Sequence, residues 1–523
     1  MGWSSDRPFL FSCFAGSLRY DACVQSQDEP PLDLLIIGAG ISGIGMAAHL
    51  VRRLPGKRFA ILERRERLGG TWDLFRYPGV RSDSDMYTLG FEFAPWTGDR
   101  AVARGEEILS YLHDVARDHG VLDAIRYRRT VRRADWDSTS RLWTVRADTP
   151  DGPQDYRARF VFAGSGYYDY DTPHDPAIPG IAQFRGEMLH PQFWPQDFDP
   201  SGKRIAVVGS GATAVTLVPA LAEAGARVTM VQRTPSWYYA EPGRDRLALL
   251  LRRFLPSRWA YALIRLRNNL LQYWLFRQSR RNPQDVSQYL LNRVKKEMGP
   301  KFADRDFAPP YGPWEQRLCF VPDGDLFTAL REGHARIVTG TIDSVTDGGL
   351  HMDDGEFVEA DVIVTATGLK LATLGKMTVS LDGTPVDFSQ HWYYRNCMFS
   401  NVPNFAALFG YLNAAWTARV DTVATWLCRL LAQMDTWDAD TVTPHLPADH
   451  GLTEADPLDG FSSGYLNRGR GLIPKSAADG PWRLSHDWLG DRRALREAPI
   501  DDGNLRFGRT PRREPLAPAA QLP

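Results

Sequence analysis

The sequence predicts an α/β protein with two Rossmann-like dinucleotide-binding domains, the second inserted into a discontinuous first, and a helical insert within the second. Two glycine fingerprints carry this reading. Gly38-Ala39-Gly40-Ile41-Ser42-Gly43 directly follows the apolar run Leu34-Leu35-Ile36-Ile37, and Gly209-Ser210-Gly211-Ala212-Thr213-Ala214 directly follows Ile205-Ala206-Val207-Val208. Each reads as strand, tight turn and helix start: the first Gly for the turn, the second for backbone approach to a pyrophosphate, the third small residue for helix–strand packing. The third observation is a pair of buried-strand patterns, Arg159-Phe160-Val161-Phe162 and Val362-Ile363-Val364-Thr365, each running into a glycine turn (Gly164 and Gly166; Gly368). Each is expected to carry the chain between the two nucleotide domains.

In chain order, residues 1–31 read as an N-terminal extension, disordered or added by a start codon assigned too early. Pro8 to Gly16 has only Arg7 before it and no clean cleavage site, so export is disfavoured. Residues 32–63 form a β-α-β unit. Its second strand, Phe59-Ala60-Ile61-Leu62, ends in Glu63, whose carboxylate suits the ribose hydroxyls of an adenosine, and this site is read as FAD. A helix is expected within Gly105–Gly120 and strands at Trp143–Val145 and Arg159–Phe162. A linker rich in Pro and Asp, 171–180, opens the second domain. There Val228-Thr229-Met230-Val231 ends in Gln232-Arg233-Thr234, with no acid at the strand end. The Arg233 guanidinium suits a 2′-phosphate, so the second site is read as NADPH.

The assignment is therefore FAD domain 32–170 and 370–523, and NADPH domain 171–369 with a helical insert at about 244–300. Residues 244–281 hold ten Arg and one acid, Asp245, with Trp259, Leu263, Leu266, Leu270 and Trp274 at helical spacing. The favoured expectation packs this stripe on the NADPH domain, beside a substrate cavity. The alternative lays it on an anionic membrane surface.

Composition bounds the function. The charge balance of 62 basic and 63 acidic residues gives no field for nucleic acid. The five cysteines, Cys13, Cys23, Cys319, Cys397 and Cys428, form no C-x-x-C pair, which argues against a disulfide framework, a bound metal and a thioredoxin-like redox pair. A reducing cytoplasm is the expected compartment, with peripheral membrane contact compatible with it. No apolar run reaches the ~18 residues of a membrane span.

Two longer patterns narrow the chemistry. Phe184-Arg185-Gly186-Glu187-Met188-Leu189-His190-Pro191-Gln192-Phe193-Trp194-Pro195 precedes the second fingerprint. Gly69-Gly70-Thr71-Trp72 is followed by Tyr77-Pro78-Gly79 and Asp83. Both match signatures of the type I Baeyer–Villiger flavin monooxygenases, which this chain resembles from about Leu32 to Phe507. Residues 81–90, 209–220, 313–319 and 413–417 are similar to the branch of the mycobacterial ethionamide-activating monooxygenase.

The resemblance implies an FAD- and NADPH-dependent enzyme that inserts one oxygen atom of O₂ into lipophilic ketones through a C4a-peroxyflavin. It gives esters or lactones, with thioethers or thioamides as side substrates. It further implies Arg317 as a fixed cation above the flavin, held by Asp83. Gly38, Gly40, Gly43, Glu63, Gly70, Thr71, Trp72 and Asp83 would surround FAD. Gly209, Gly211, Ala212, Thr213, Arg233 and Thr234 would bind NADPH. Gln316 stands where the wider family often has Lys, leaving the 2′-phosphate mainly to Arg233 and Thr234. His190 and Trp194 are read as structural residues of the linker. The alternatives are an N- or S-oxidising flavin monooxygenase and, from another class, a flavoprotein redox sensor or NADPH oxidase that makes only peroxide.

Overall fold

A computed structural model describes residues 30–509, so the expected extension lies outside them but for Pro30 and Pro31. The first fingerprint folds as β1 (Leu32–Ile37), α1 (Ile41–Arg53) and β2 (Phe59–Leu62). β1 lies between β2 and a long strand, β3 (Gly152–Ala163), parallel to both. Leu34, Leu35 and Ile36 are fully buried, each worth about 1.5–3 kcal/mol. Beyond β3 the sheet continues antiparallel through Leu142–Thr149 and Thr130–Asp137, and then takes up Thr378–Leu381 in parallel. Phe405–Ala407 pairs with the last residues of β3.

The second fingerprint folds as β4 (Arg204–Val208), α2 (Ala212–Glu223) and β5 (Arg227–Gln232). They belong to a separate parallel sheet, ordered Ala335–Thr339, β5, β4, Val362–Thr365, Glu187–Leu189. All its strands fall, in sequence, between strands of the first sheet. The helix expected near residue 110 spans Gly105–Asp118.

The insert contains α3 (Arg246–Phe254) and α4 (Ser257–Arg281), followed by a helix over Pro283–Met298. Here the structure corrects the sequence reading. Ala248, Ala260, Tyr261 and Ile264 join the core of the first-sheet domain, not that of the second. Arg265 donates to the carbonyls of Tyr87 and Thr88 at 3.1 and 2.9 Å and pairs with Asp421 at 3.0 Å. The stripe Trp259, Leu263, Leu266, Leu270 and Trp274 lies on the opposite side and is exposed. The helix buries the face that can satisfy backbone carbonyls and accept close packing, and the bulky residues are left outside.

α5 (Trp416–Thr436) closes the first domain, buried along most of its length and packed on α1. The Trp416 indole N–H donates to the Ser42 hydroxyl at 2.7 Å, joining the start of α5 to the start of α1.

Candidate active site

The glycines of the first fingerprint are each required for a different reason. Gly38 sits at φ +95°, and a Cβ there would come 2.9 Å from the Gly164 carbonyl oxygen. At Gly43 a Cβ would lie 1.9 Å from the Gly38 carbonyl oxygen, so only glycine lets α1 pack this close to the turn. Gly40 differs: its nearest neighbour would be Gly70 Cα at 3.6 Å, an ordinary contact. Its constraint therefore comes from what approaches the helix N-terminus, as a pyrophosphate would. Gly164, expected to make a turn, has no positive φ. It is small because the Gly43 amide nitrogen would lie 3.0 Å from its Cβ. Gly166 and Gly368 are at φ +74° and +99°, as turns require.

Glu63 directly follows β2 and is buried, 4 % exposed. Its Oε2 accepts from the Ala39 amide at 2.7 Å and its Oε1 from the Arg65 amide at 2.9 Å. Burial raises its pKa, and these two amides pull it partly back. Each oxygen keeps a lone pair for a further donor, which fits the ribose of a bound adenosine.

A cavity of about 330 Å³ runs between the two fingerprints. Gly38, Gly40, Glu63, Gly70, Thr71 and Trp72 line it from the first domain. Asp83 also lines it from the first, and Ala212 and Thr213, at the N-terminus of α2, line it from the second together with Arg317. Gly43, Gly209, Gly211, Arg233 and Thr234 do not. A Cβ on Gly209 (φ +141°) would come 2.3 Å from the Ala366 carbonyl oxygen, whereas one on Gly211 would meet open space, as an approaching pyrophosphate needs. Arg233 is exposed and pairs with no carboxylate among the described residues, so its guanidinium is available to a phosphate. Thr234 offers its carbonyl to the Ser210 hydroxyl at 2.8 Å. The residues present thus fit a flavin dinucleotide at the first fingerprint and a second dinucleotide at the other.

Asp83 and Arg317 meet across the cavity, Nη1 to Oδ2 at 2.6 Å. Arg317 Nη2 donates to the Tyr411 carbonyl at 3.3 Å, and its buried Nε has no protein partner. Burial alone would lower the guanidinium pKa, but Asp83 and the neighbouring tyrosines outweigh it and hold the charge firmly. With both partners a third or more open, the pair adds little to stability. Its consequence is a cation fixed in direction. The preceding loop is held at Trp314, at φ +65°, whose ring packs edge-on against Phe276 of α4 at 5.8 Å.

Sequence reasoning missed the support behind Tyr411. Its hydroxyl donates to Asp491 at 2.9 Å, Arg419 pairs with the same oxygen at 3.1 Å, and the Arg419 guanidinium lies 3.8 Å above the Tyr411 ring. It also missed the aromatic wall, where Tyr167 stacks on Trp416 at 5.1 Å and shares a 2.6 Å hydrogen bond with Tyr168. Trp416 lies in the stretch 413–417 that carried part of the resemblance, which was the available signal. His190 accepts from the Gln192 amide at 3.1 Å, and burial lowers its pKa to about 4. Trp194 packs edge-on against Phe198 at 5.4 Å.

The segment from Gly69 to Asp83 joins the two halves of the site. The Gly69 amide donates to the Ala39 carbonyl at 2.9 Å. Tyr77 is buried, and burial raises its phenol to about 12, against a smaller opposing effect of its hydrogen bond to Thr213. A Cβ on Gly79 (φ +76°) would lie 2.8 Å from Ala220 Cβ and 2.9 Å from the Thr216 carbonyl oxygen, so this turn sits directly on α2.

Comparison with known proteins agrees with this geometry. The FAD-containing monooxygenase EthA of Mycobacterium tuberculosis is 44% identical over 482 residues, covering 92% of this chain and 98% of that protein. The probable FAD-binding monooxygenase AlmA of an Acinetobacter species is also 44% identical over 482 residues, covering 92% and 97%. This chain belongs to the FAD-containing monooxygenases. Residues 35–246 of this monooxygenase also match the family model described as pyridine nucleotide-disulphide oxidoreductase. In fold, it is similar to a steroid monooxygenase solved in its oxidized form with NADP (TM-score 0.72, 20% identity, 92% of this chain and 100% of that one). An open crystal structure of cyclohexanone monooxygenase gives a TM-score of 0.70 at 19% identity, with the same coverage.

Proposed function

We propose that this monooxygenase inserts one oxygen atom of O₂ into a lipophilic ketone to give an ester or lactone, with thioethers or thioamides as side substrates. FAD occupies the 32–170 and 370–523 domain and NADPH the 171–369 domain. Bound FAD, reduced by NADPH, supplies the oxygen-activating chemistry. The observation that carries the reading is the Asp83–Arg317 pair on the wall of a cavity shared by both fingerprints.

The chain's own residues divide the work. Glu63 holds the adenosine ribose, and the N-terminus of α1 receives the pyrophosphate beside Gly40. Arg233, with Thr234, takes the 2′-phosphate that distinguishes NADPH from NADH. When the ketone carbonyl is attacked its oxygen becomes negative, and Arg317 is the fixed cation facing that charge. A guanidinium does not give up its proton under these conditions, so it stabilises an anion without protonating it. Asp83 and the Tyr411 carbonyl set its direction.

Arg317→Ala is the test. It should keep bound flavin and reduction by NADPH, yet lose ester formation by on the order of a hundredfold or more, the usual effect of removing a preorganised donor. Oxygen uptake should continue with hydrogen peroxide as product, and sulfoxidation should suffer less. Near wild-type yield of ester per NADPH in this variant would end the proposal. Replacing Arg233 by Ala should raise KM for NADPH by roughly 30-fold and leave that for NADH nearly unchanged. Equal losses with both coenzymes would remove Arg233 from the role.

A further inference from the structure

The outward face of the insert is an apolar feature that the site does not use. On α4, Trp259, Leu263, Leu266, Leu270 and Trp274 fall at intervals of three and four, a straight stripe of about 22 Å at the helical rise. On α3, Leu247, Leu250 and Phe254 repeat the spacing. All eight are exposed; Phe254, Trp259 and Trp274 are 73%, 69% and 59% open. Soluble surfaces scatter such residues singly, whereas a contiguous row marks a surface that is covered in use.

Charge selects the cover. Arg244, Arg246, Arg253, Arg258, Arg277 and Arg281 are exposed on the same two helices and their flanks, and none pairs with a carboxylate among the described residues. The one acid of the stretch, Asp245, is already occupied, capping α3 at the Ala248 amide and pairing with Arg267. A second copy of this chain would bring these cations against their own kind, which costs rather than stabilises. A partner with negative charge at its surface and hydrocarbon beneath it satisfies both features at once. No helix among the described residues is long and apolar enough to cross a membrane. We infer that the face formed by α3 and α4 docks on an anionic lipid bilayer, with the tryptophans at headgroup depth and the arginines against lipid phosphates. This inference is independent of the reaction proposed above.

The test uses the full-length flavoprotein and flotation with vesicles of phosphatidylcholine and phosphatidylglycerol, compared with phosphatidylcholine alone. The wild type should float with anionic vesicles at low salt, detach as salt rises and ignore neutral vesicles. Each arginine removed near an anionic surface should weaken binding roughly fivefold. The triple variant Arg253→Gln/Arg258→Gln/Arg277→Gln should therefore lose on the order of a hundredfold. The triple variant Phe254→Ser/Trp259→Ser/Trp274→Ser should fail to float even at low salt. Both should keep their flavin content, melting temperature and rate of NADPH oxidation. Absence of flotation by the wild type at low salt, or wild-type flotation by the variants, overturns the inference. So does a concentration-dependent dimer that the serine variant abolishes while nothing floats; that outcome would assign the face to a second copy.

Discussion

Glu63 shows how a single carboxylate can be both costly and useful. Its burial raises its pKa, and two amides offset part of that cost by donating to its oxygens. A ribose hydroxyl would add a third donor. Glu63→Gln replaces one acceptor by an amide N–H₂ that faces another donor. FAD affinity should then fall by roughly 10- to 100-fold, as expected for hydrogen bonds to a charged group, measured by titrating apoenzyme with FAD. An unchanged affinity would show that the carboxylate serves only the loop. At this scale the sequence was legible where a motif fixes a residue against its own neighbours: Gly38 makes the turn after β1 and Glu63 directly follows β2, whereas the contact of Asp83 with Arg317 was expected only from the family resemblance. Tyr411, Arg419 and Asp491 were not legible, because their partnership joins positions far apart in the chain and leaves no local period.

Among elements, the fingerprint helices and the parallel strands follow directly from apolar runs ending in glycine, and the structure returns them within a residue or two. The two internal glycines of α1's turn now separate into different kinds. Gly43→Ala would drive a methyl into the Gly38 carbonyl and should destabilise the apoprotein by about 1–3 kcal/mol or more. Gly40→Ala makes only ordinary contacts within the protein. It should leave the apoprotein's melting temperature nearly unchanged while weakening FAD binding. Equal destabilisation of the two apoproteins would contradict the distinction. The insert teaches the converse lesson. A period of 3.6 shows that a helix has an apolar face, but not which side is covered. In α4 the covered side uses Ala260, Tyr261, Ile264 and a hydrogen-bonding Arg265, and no hydrophobicity count could rank those above two tryptophans.

At the scale of the molecule, acid stability should be set partly by buried imidazoles. Burial, reinforced by Arg419, lowers the pKa of His486 from an ordinary 6.5 to about 3. The unfolded chain therefore binds a proton that the folded chain refuses. The stabilisation is complete above about pH 6.5 and is lost progressively as pH falls toward 3, at roughly 2 kcal/mol between pH 7 and 5. The fall in urea midpoint between those two pH values should shrink in His486→Gln; an unaltered fall would exclude this residue as the source. The nesting of one sheet within the other was legible from the two buried-strand patterns, at 159–162 and 362–365, that run into glycine turns. One of the contacts between the two halves was not, because it is made by a turn, Tyr77-Pro78-Gly79, whose meaning appears only once α2 lies beneath it.

That turn has a thermodynamic consequence. The stretch from Gly69 to Asp83 is anchored at the first fingerprint by its leading glycine, rests on α2 at Gly79, and ends on Arg317. The two nucleotide crevices therefore share one tie. We predict that a ligand seated at one end shifts this stretch at the other, and such an influence must run equally in both directions. The factor by which NADP⁺ changes the dissociation constant of FAD should equal the factor by which FAD changes that of NADP⁺. Gly79→Val, which would lift the turn off α2, should bring both factors toward one. A variant that keeps the wild-type factors would show that the tie is slack.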